Sequence, residues 1–122
     1  MPVIEFPDVS FADEQGLLAV GGDLSPESLL LAYRQGIFPW PISQEYPLAW
    51  FSPDPRGILS ASDLTVSKRL RRYFTKMNLK ITYNQNFQDI VTSCAQAPRK
   101  DQDSTWITQE IIDGYLALFD LG

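Results

Sequence analysis

Hydrophobic residues recur at helical spacing in four places along the chain, and the polar residues between them mark where each helix starts and stops. Leu29, Leu30, Ala32 and Tyr33 form a broad apolar stripe. Ser25 is a good N-cap for it, Pro26 suits the first helical position, Leu24 can staple onto Leu29, and Gly36 ends the helix. Leu70, Tyr73, Phe74 and Met77 repeat at i, i+3, i+4 and i+7, which predicts a second helix from Lys68 to about Met77, capped by Ser67, with those four toward a core. Phe87, Ile90, Val91 and Cys94 mark the inner face of a third helix beginning after Asn84 or Asn86, with Cys94 read as a small core residue. Thr108 caps a fourth, whose apolar face is Ile111, Ile112, Tyr115, Leu116 and Phe119, with Gly122 placed as a C-terminal cap glycine.

Between the helices the pattern changes period. Pro39, Pro41, Pro47, Pro53 and Pro55 keep the chain extended or turned after Ile37, leaving room for short strands around Leu48 to Phe51 and around Gly57 to Ser60. Leu79 to Tyr83 alternates as a third strand. Gly21-Gly22-Asp23 reads as a turn with Asp23 as a turn or cap residue, and residues 96–104 read as a polar loop. The fold class expected is mixed α/β (α+β).

Composition narrows the chemistry. The 122 residues include no histidine and one cysteine, so neither an intramolecular disulfide, a zinc site nor an imidazole base is expected, and histidine-dependent hydrolases, proteases and metalloenzymes fall away. No metal and no cofactor is expected. Met1 to Pro7 has no charged-then-apolar leader, and the longest apolar run, Leu29 to Tyr33, is far short of the roughly 18 residues a membrane span needs. A cytoplasmic protein with no membrane partner is expected.

The net charge of −5 hides a segregation. Residues 1–63 carry nine acids and two bases, residues 64–80 six bases and no acid, and residues 81–122 six acids and two bases. Lys68, Arg72 and Lys76 line up at i, i+4 and i+8, with Arg69 and Arg71 beside them. A local basic patch on an acidic body suits a shaped polyanion such as folded RNA; a solvated helix face is the competing reading. Trp40 and the Trp50-Phe51 pair are large rings on proline-restricted backbone, so they lose little entropy when a flat or apolar ligand docks; core packing is the competing reading.

The runs GLLAVGGDLSP (16–26), AYRQGIFPW (32–40), WFSPDPR (50–56) and STWIT (104–108) closely resemble the motifs of the leucyl/phenylalanyl-tRNA-protein transferase family. The resemblance covers nearly the whole chain, most weakly at Met1 to Pro7. It implies a small N-terminal α/β domain at residues 1–62 followed, from residue 63 to 122, by the first part of an acetyltransferase-like (GNAT-like) domain that this chain leaves incomplete. It implies transfer of leucine or phenylalanine from aminoacyl-tRNA to the N-terminal arginine or lysine of acceptor proteins, marking them for N-degron degradation. Carried over residue by residue, Trp40 and Trp106 line the pocket for the aminoacyl-adenosine; Trp50 and Phe51 are candidates for pocket support on their own proline-bounded setting. Lys68, Arg72 and Lys76 match the cluster that grips tRNA, lysine replacing arginine at the first and last and so losing the bidentate fork. The catalytic residues are expected beyond the equivalent of Gly122, and the chain alone is expected to be inactive. Two other readings are a non-catalytic tRNA-binding module and a docking module for hydrophobic peptides.

Overall fold

The computed structural model of the chain describes residues 1–100 and 105–122. It is mixed α/β, with four α-helices and one three-stranded antiparallel sheet among the described residues. Two compact units are present: Met1–Asp54 together with Asn86–Gly122, and Pro55–Gln85.

In the first unit the order is β1 (Leu17–Val20), α1 (Pro26–Arg34), β2 (Phe38–Pro39) and β3 (Ala49–Phe51), joined after the second unit by two further helices. The sheet order is β1-β3-β2, with Ala19 opposite Trp50 and Pro39 opposite Trp50 on the other side. β1 is an apolar run, LLAV, that the alternation pattern did not reveal. It enters through Gly16, whose φ of +88° and close approach to Pro53, where a Cβ would lie 2.8 Å from the proline Cα, leave no room for a side chain.

α1 starts as its sequence dictates: the Ser25 hydroxyl accepts the Ser28 N–H and Pro26 occupies the first turn. It ends in a Schellman motif. Gly36 (φ +73°) donates to Tyr33 O at 3.2 Å and Ile37 donates to Ala32 O at 2.9 Å, which turns the chain out of the helix and drives Ile37 into the core. The buried stripe is narrower than the apolar pattern: Ser28, Leu29 and Ala32 are buried while Leu30 and Tyr33 are exposed. Phe6, Leu29, Ala32, Ile37 and Trp50 form the central cluster, Leu29 and Ile37 each contributing about 1.5–3 kcal/mol by burial.

The other two helices of this unit run over Phe87–Gln96 and Gln109–Asp120, the second with its N-terminus capped by the Thr108 hydroxyl, which accepts the Ile111 N–H at 3.3 Å. Ile111 and Ile112 are buried, so the start of this helix's apolar face is covered, with α1 among its neighbours. Phe87 stacks on Phe119 at 4.6 Å between ring centroids. Cys94 corrects the sequence reading: its side chain is exposed, as is Ile90, because only the Phe87 and Val91 side of this helix finds a partner.

The second unit holds α2 (Lys68–Lys76), capped by the Ser67 hydroxyl accepting the Leu70 N–H at 3.1 Å. Asn78 at φ +49° closes it in a second Schellman motif, donating to Thr75 O at 3.1 Å while Leu79 donates to Phe74 O at 3.2 Å. The two later helices of the first unit are α3 (Phe87–Gln96) and α4 (Gln109–Asp120). Three expectations fail in this unit. Residues Gly57–Ser60 and Leu79–Tyr83 are not strands, and Leu70, Tyr73, Phe74 and Met77 are exposed. A strand needs a hydrogen-bonded neighbour, and none of the described strands lies within Pro55–Gln85.

Candidate nucleotide-binding cleft

Local sequence aims two indoles at one place. Proline fixes the backbone on both sides of Trp40, and the Trp40 N–H continues the β2–β3 pairing by donating to Ala49 O at 2.9 Å, so the ring leaves the sheet at a defined point. Trp106 stands two residues ahead of the α4 cap. The Thr105 hydroxyl accepts the Ile107 N–H at 3.1 Å and Thr108 N–H donates to Trp106 O at 3.0 Å, folding that entry into a tight turn. Packing of α1 on α4, where the Tyr33 and Tyr115 hydroxyls hydrogen-bond and their rings meet edge to face, brings the two segments together. Burial, and next the bond from Tyr33, raises the Tyr115 phenol above its ordinary value.

Trp40 and Trp106 stack nearly parallel, 4.9 Å between centroids and 13° between planes. Trp40 is 42 % exposed although it is a tryptophan in a parallel stack, and Trp106 is half-buried. They stand in the wall of a cleft of about 1040 Å³, with Ile42, Tyr46 and Leu48 from the β2–β3 loop and Gln109 and Glu110 from the first turn of α4. The volume reaches the upper end of small-molecule sites, about 300–1,000 Å³, and a half-exposed pair of flat π-faces in a concave wall is suited to a nucleobase.

Trp50 and Phe51 are not in this lining. Trp50 is buried, its ring edge-on to Phe6 at 5.0 Å and its indole N–H donating to Gly21 O at 2.8 Å. Phe51 stacks on Phe38 at 6.4 Å. Both therefore bear on the cleft through the sheet that carries Trp40. Asp23 is a structural group as its turn predicted: its carboxylate accepts the Ser25 N–H at 3.1 Å and the Ser28 hydroxyl at 2.8 Å, and Ser28 in turn accepts the Val3 N–H at 2.8 Å. The bonds from Ser25 and Ser28 hold this carboxyl well below the usual carboxylate range.

Lys68, Arg72 and Lys76 lie in the other unit, on α2, one above the next and exposed. Among the described residues no carboxylate lies within ion-pair distance of any of them. Sequence reasoning overlooked Arg99, which lines the cleft and falls within residues 96–104. Residues 101–104 of that stretch, including Ser104 of the STWIT motif, lie outside the described residues, as does the loop expected there beyond residue 100. Among the described residues no helix is long and apolar enough to cross a membrane, and no group of three or more acidic, cysteine or histidine side chains is placed to hold a metal ion.

Comparison with known proteins gives concordant results. Residues 58–122 match the family described as leucyl/phenylalanyl-tRNA protein transferase, and residues 22–54 match its N-terminal domain. The leucyl/phenylalanyl-tRNA-protein transferase of Flavobacterium johnsoniae is 47 % identical over 117 residues, which is 96 % of this chain and 55 % of the relative. That of Christiangramia forsetii is 46 % identical over 121 residues, 99 % of this chain and 57 % of the relative. That of Tolumonas auensis is 47 % identical over 116 residues, 95 % of this chain and 49 % of the relative. The chain thus spans about half the length of the curated relatives it matches.

Proposed function

The chain belongs to the leucyl/phenylalanyl-tRNA-protein transferase family, and on that premise we propose that its residues form the donor side of an aminoacyl transfer. In this reading leucine or phenylalanine passes from aminoacyl-tRNA to the N-terminal arginine or lysine of an acceptor protein in the cytoplasm, marking it for N-degron degradation. Residues 1–62 act as the N-terminal domain and residues 63–122 as the first part of an acetyltransferase-like domain.

The observation that carries the reading is the Trp40–Trp106 stack in the cleft wall. Held by the β2–β3 pairing and by the α4 cap, the two rings offer a preorganised surface for the terminal adenine, with Ile42 and Leu48 supplying apolar wall for the attached side chain. Lys68, Arg72 and Lys76 supply long-range attraction for the tRNA backbone. The aminoacyl ester is already activated. What remains is to align the attacking α-amine, whose pKa near 8 leaves it largely protonated at neutral pH, to take its proton and to stabilise the oxyanion. We assign that work to family sequence outside these 122 residues, because the cleft residues fit donor binding.

Two measurements test this. Phenylalanyl-tRNA should bind this chain, and Trp40→Ala or Trp106→Ala should weaken binding by roughly 1–3 kcal/mol, about 5- to 150-fold; unchanged affinity in both variants overturns the cleft as the donor site. Mixed with labelled phenylalanyl-tRNA and a peptide beginning with arginine, the chain alone should leave the peptide unlabelled. Label on the peptide would place the chemistry within these residues.

A further inference from the structure

Arg99 is the one cation among the described residues lining the cleft, and its setting is that of a prepared anion ligand. It follows α3 by three residues and is half-buried. Its Nη2 donates to the carbonyl oxygen of Cys94 at 3.1 Å, one of the last-turn carbonyls of α3 that lack a partner within the helix. That bond pins the guanidinium plane and uses one of its five N–H donors. No carboxylate among the described residues lies within ion-pair distance of it. Glu110 lies in the same lining, so an anion in the cleft is favoured on the Arg99 side and disfavoured near the start of α4.

A nucleotide presents a flat base and a phosphate joined through one sugar, and this wall presents a flat π-surface and a fixed guanidinium. We propose that Arg99 binds the 5′-phosphate of the nucleotide whose base is received by the Trp40–Trp106 pair. The assignment rests on the cleft being the terminal-adenosine site and adds to it a phosphate anchor, which fixes the direction in which the strand leaves the cleft. Arginine suits the task because its planar fork meets two phosphate oxygens at once and stays charged at all working pH values. Its tether to Cys94 O lowers the rotamer entropy lost on binding.

The test is a titration of the 122-residue chain by intrinsic tryptophan fluorescence, with adenosine and with adenosine 5′-monophosphate as probes. The monophosphate should bind about tenfold more tightly than the nucleoside at low salt, an advantage that shrinks as salt is raised. Arg99→Gln should abolish the difference while leaving adenosine affinity unchanged, and Arg99→Lys, with a point charge but no fork, should keep part of it. Far-UV circular dichroism and the melting temperature report whether each variant is folded; should Arg99→Gln fail to fold, Arg99→Lys carries the comparison, with an undiminished advantage counting against the fork. Equal affinities for the two probes in the unsubstituted chain, or an advantage that survives Arg99→Gln, overturn the proposal while leaving the base site intact. Absence of any response to adenosine overturns the base site, and the phosphate anchor with it.

Discussion

Gly114 of α4 lies against the backbone of Leu24: a Cβ at Gly114 would sit 2.8 Å from the Leu24 carbonyl oxygen and 2.9 Å from its Cβ. This contact lets α4 approach the turn that precedes α1, and Gly114 is buried. Gly114→Ala sets two effects against each other. Alanine gains up to about 1 kcal/mol of helix propensity, while overpacking against a backbone atom that cannot rotate away costs about 1–3 kcal/mol. The clash is expected to win, lowering Tm by several degrees in thermal denaturation and weakening phenylalanyl-tRNA binding as Trp106 shifts; a raised Tm would show that α4 slides freely on Leu24.

Trp40 and Trp50 should separate cleanly on substitution. Trp50→Ala removes a buried ring and its bond to Gly21 O, and is expected to cost about 3–5 kcal/mol in urea unfolding. Trp40→Ala removes a half-exposed ring and should cost less than about 1.5 kcal/mol while abolishing most adenosine binding. Equal losses of stability would place Trp40 in the core.

Acid should loosen the segment before α1. Hydrogen bonds from Ser25 and Ser28 depress the Asp23 carboxyl below its unfolded value of about 3.9, so the stability it contributes is complete above that pH and is lost as pH falls through the folded value. Asp23→Asn is therefore expected to be less stable than the parent at pH 7 and to show a shallower decline between about pH 5 and 2. Tyr115 acts at the other end. Its phenol is raised above about 10, so its contribution is complete below that value and is lost at higher pH, and Tyr115→Phe should remove this alkaline limb. Parallel pH–stability curves for parent and variant would contradict either assignment.

Salt dependence isolates the basic helix. Replacing Lys68, Arg72 or Lys76 singly by alanine should weaken tRNA binding and reduce the slope of log K against log salt by about 1 each, with little change in Tm because all three are exposed. A slope unchanged in the triple variant would show that α2 is a solvated face and the RNA lies elsewhere.

Ends of helices were the most legible part of the sequence. Ser25, Ser67 and Thr108 cap the helices they were expected to cap, and Gly36 terminates α1, because each acts on its own neighbours through bonds of three or four residues. Strands were less legible. Leu79 to Tyr83 has the alternation of a strand but no neighbour within its unit, whereas the unbroken apolar run Leu17–Val20 is a strand because Ala49–Phe51 pairs with it. Local pattern also could not separate Trp40 from Trp50, ten residues apart in similar proline-rich surroundings. One indole reaches a carbonyl and the core, the other a second indole from the far end of the chain. Cys94 was misplaced because the helical period marks an apolar stripe without saying which part of it meets a partner, and Arg99 was overlooked because the bond from its guanidinium to the Cys94 carbonyl leaves no trace in periodicity.

The stack between Trp40 and Trp106 joins rings about 66 positions apart in the chain, with the whole Pro55–Gln85 unit encoded between them. During synthesis at about 5–20 residues per second, the first indole is added to the chain roughly 3–13 s before its partner. Once Phe51 has been added, the sheet and α1 await α4, and their buried cluster lacks the cover of Tyr115 and Leu118, so a ribosome stalled shortly before Trp106 holds a chain that has its sheet sequence and no cleft.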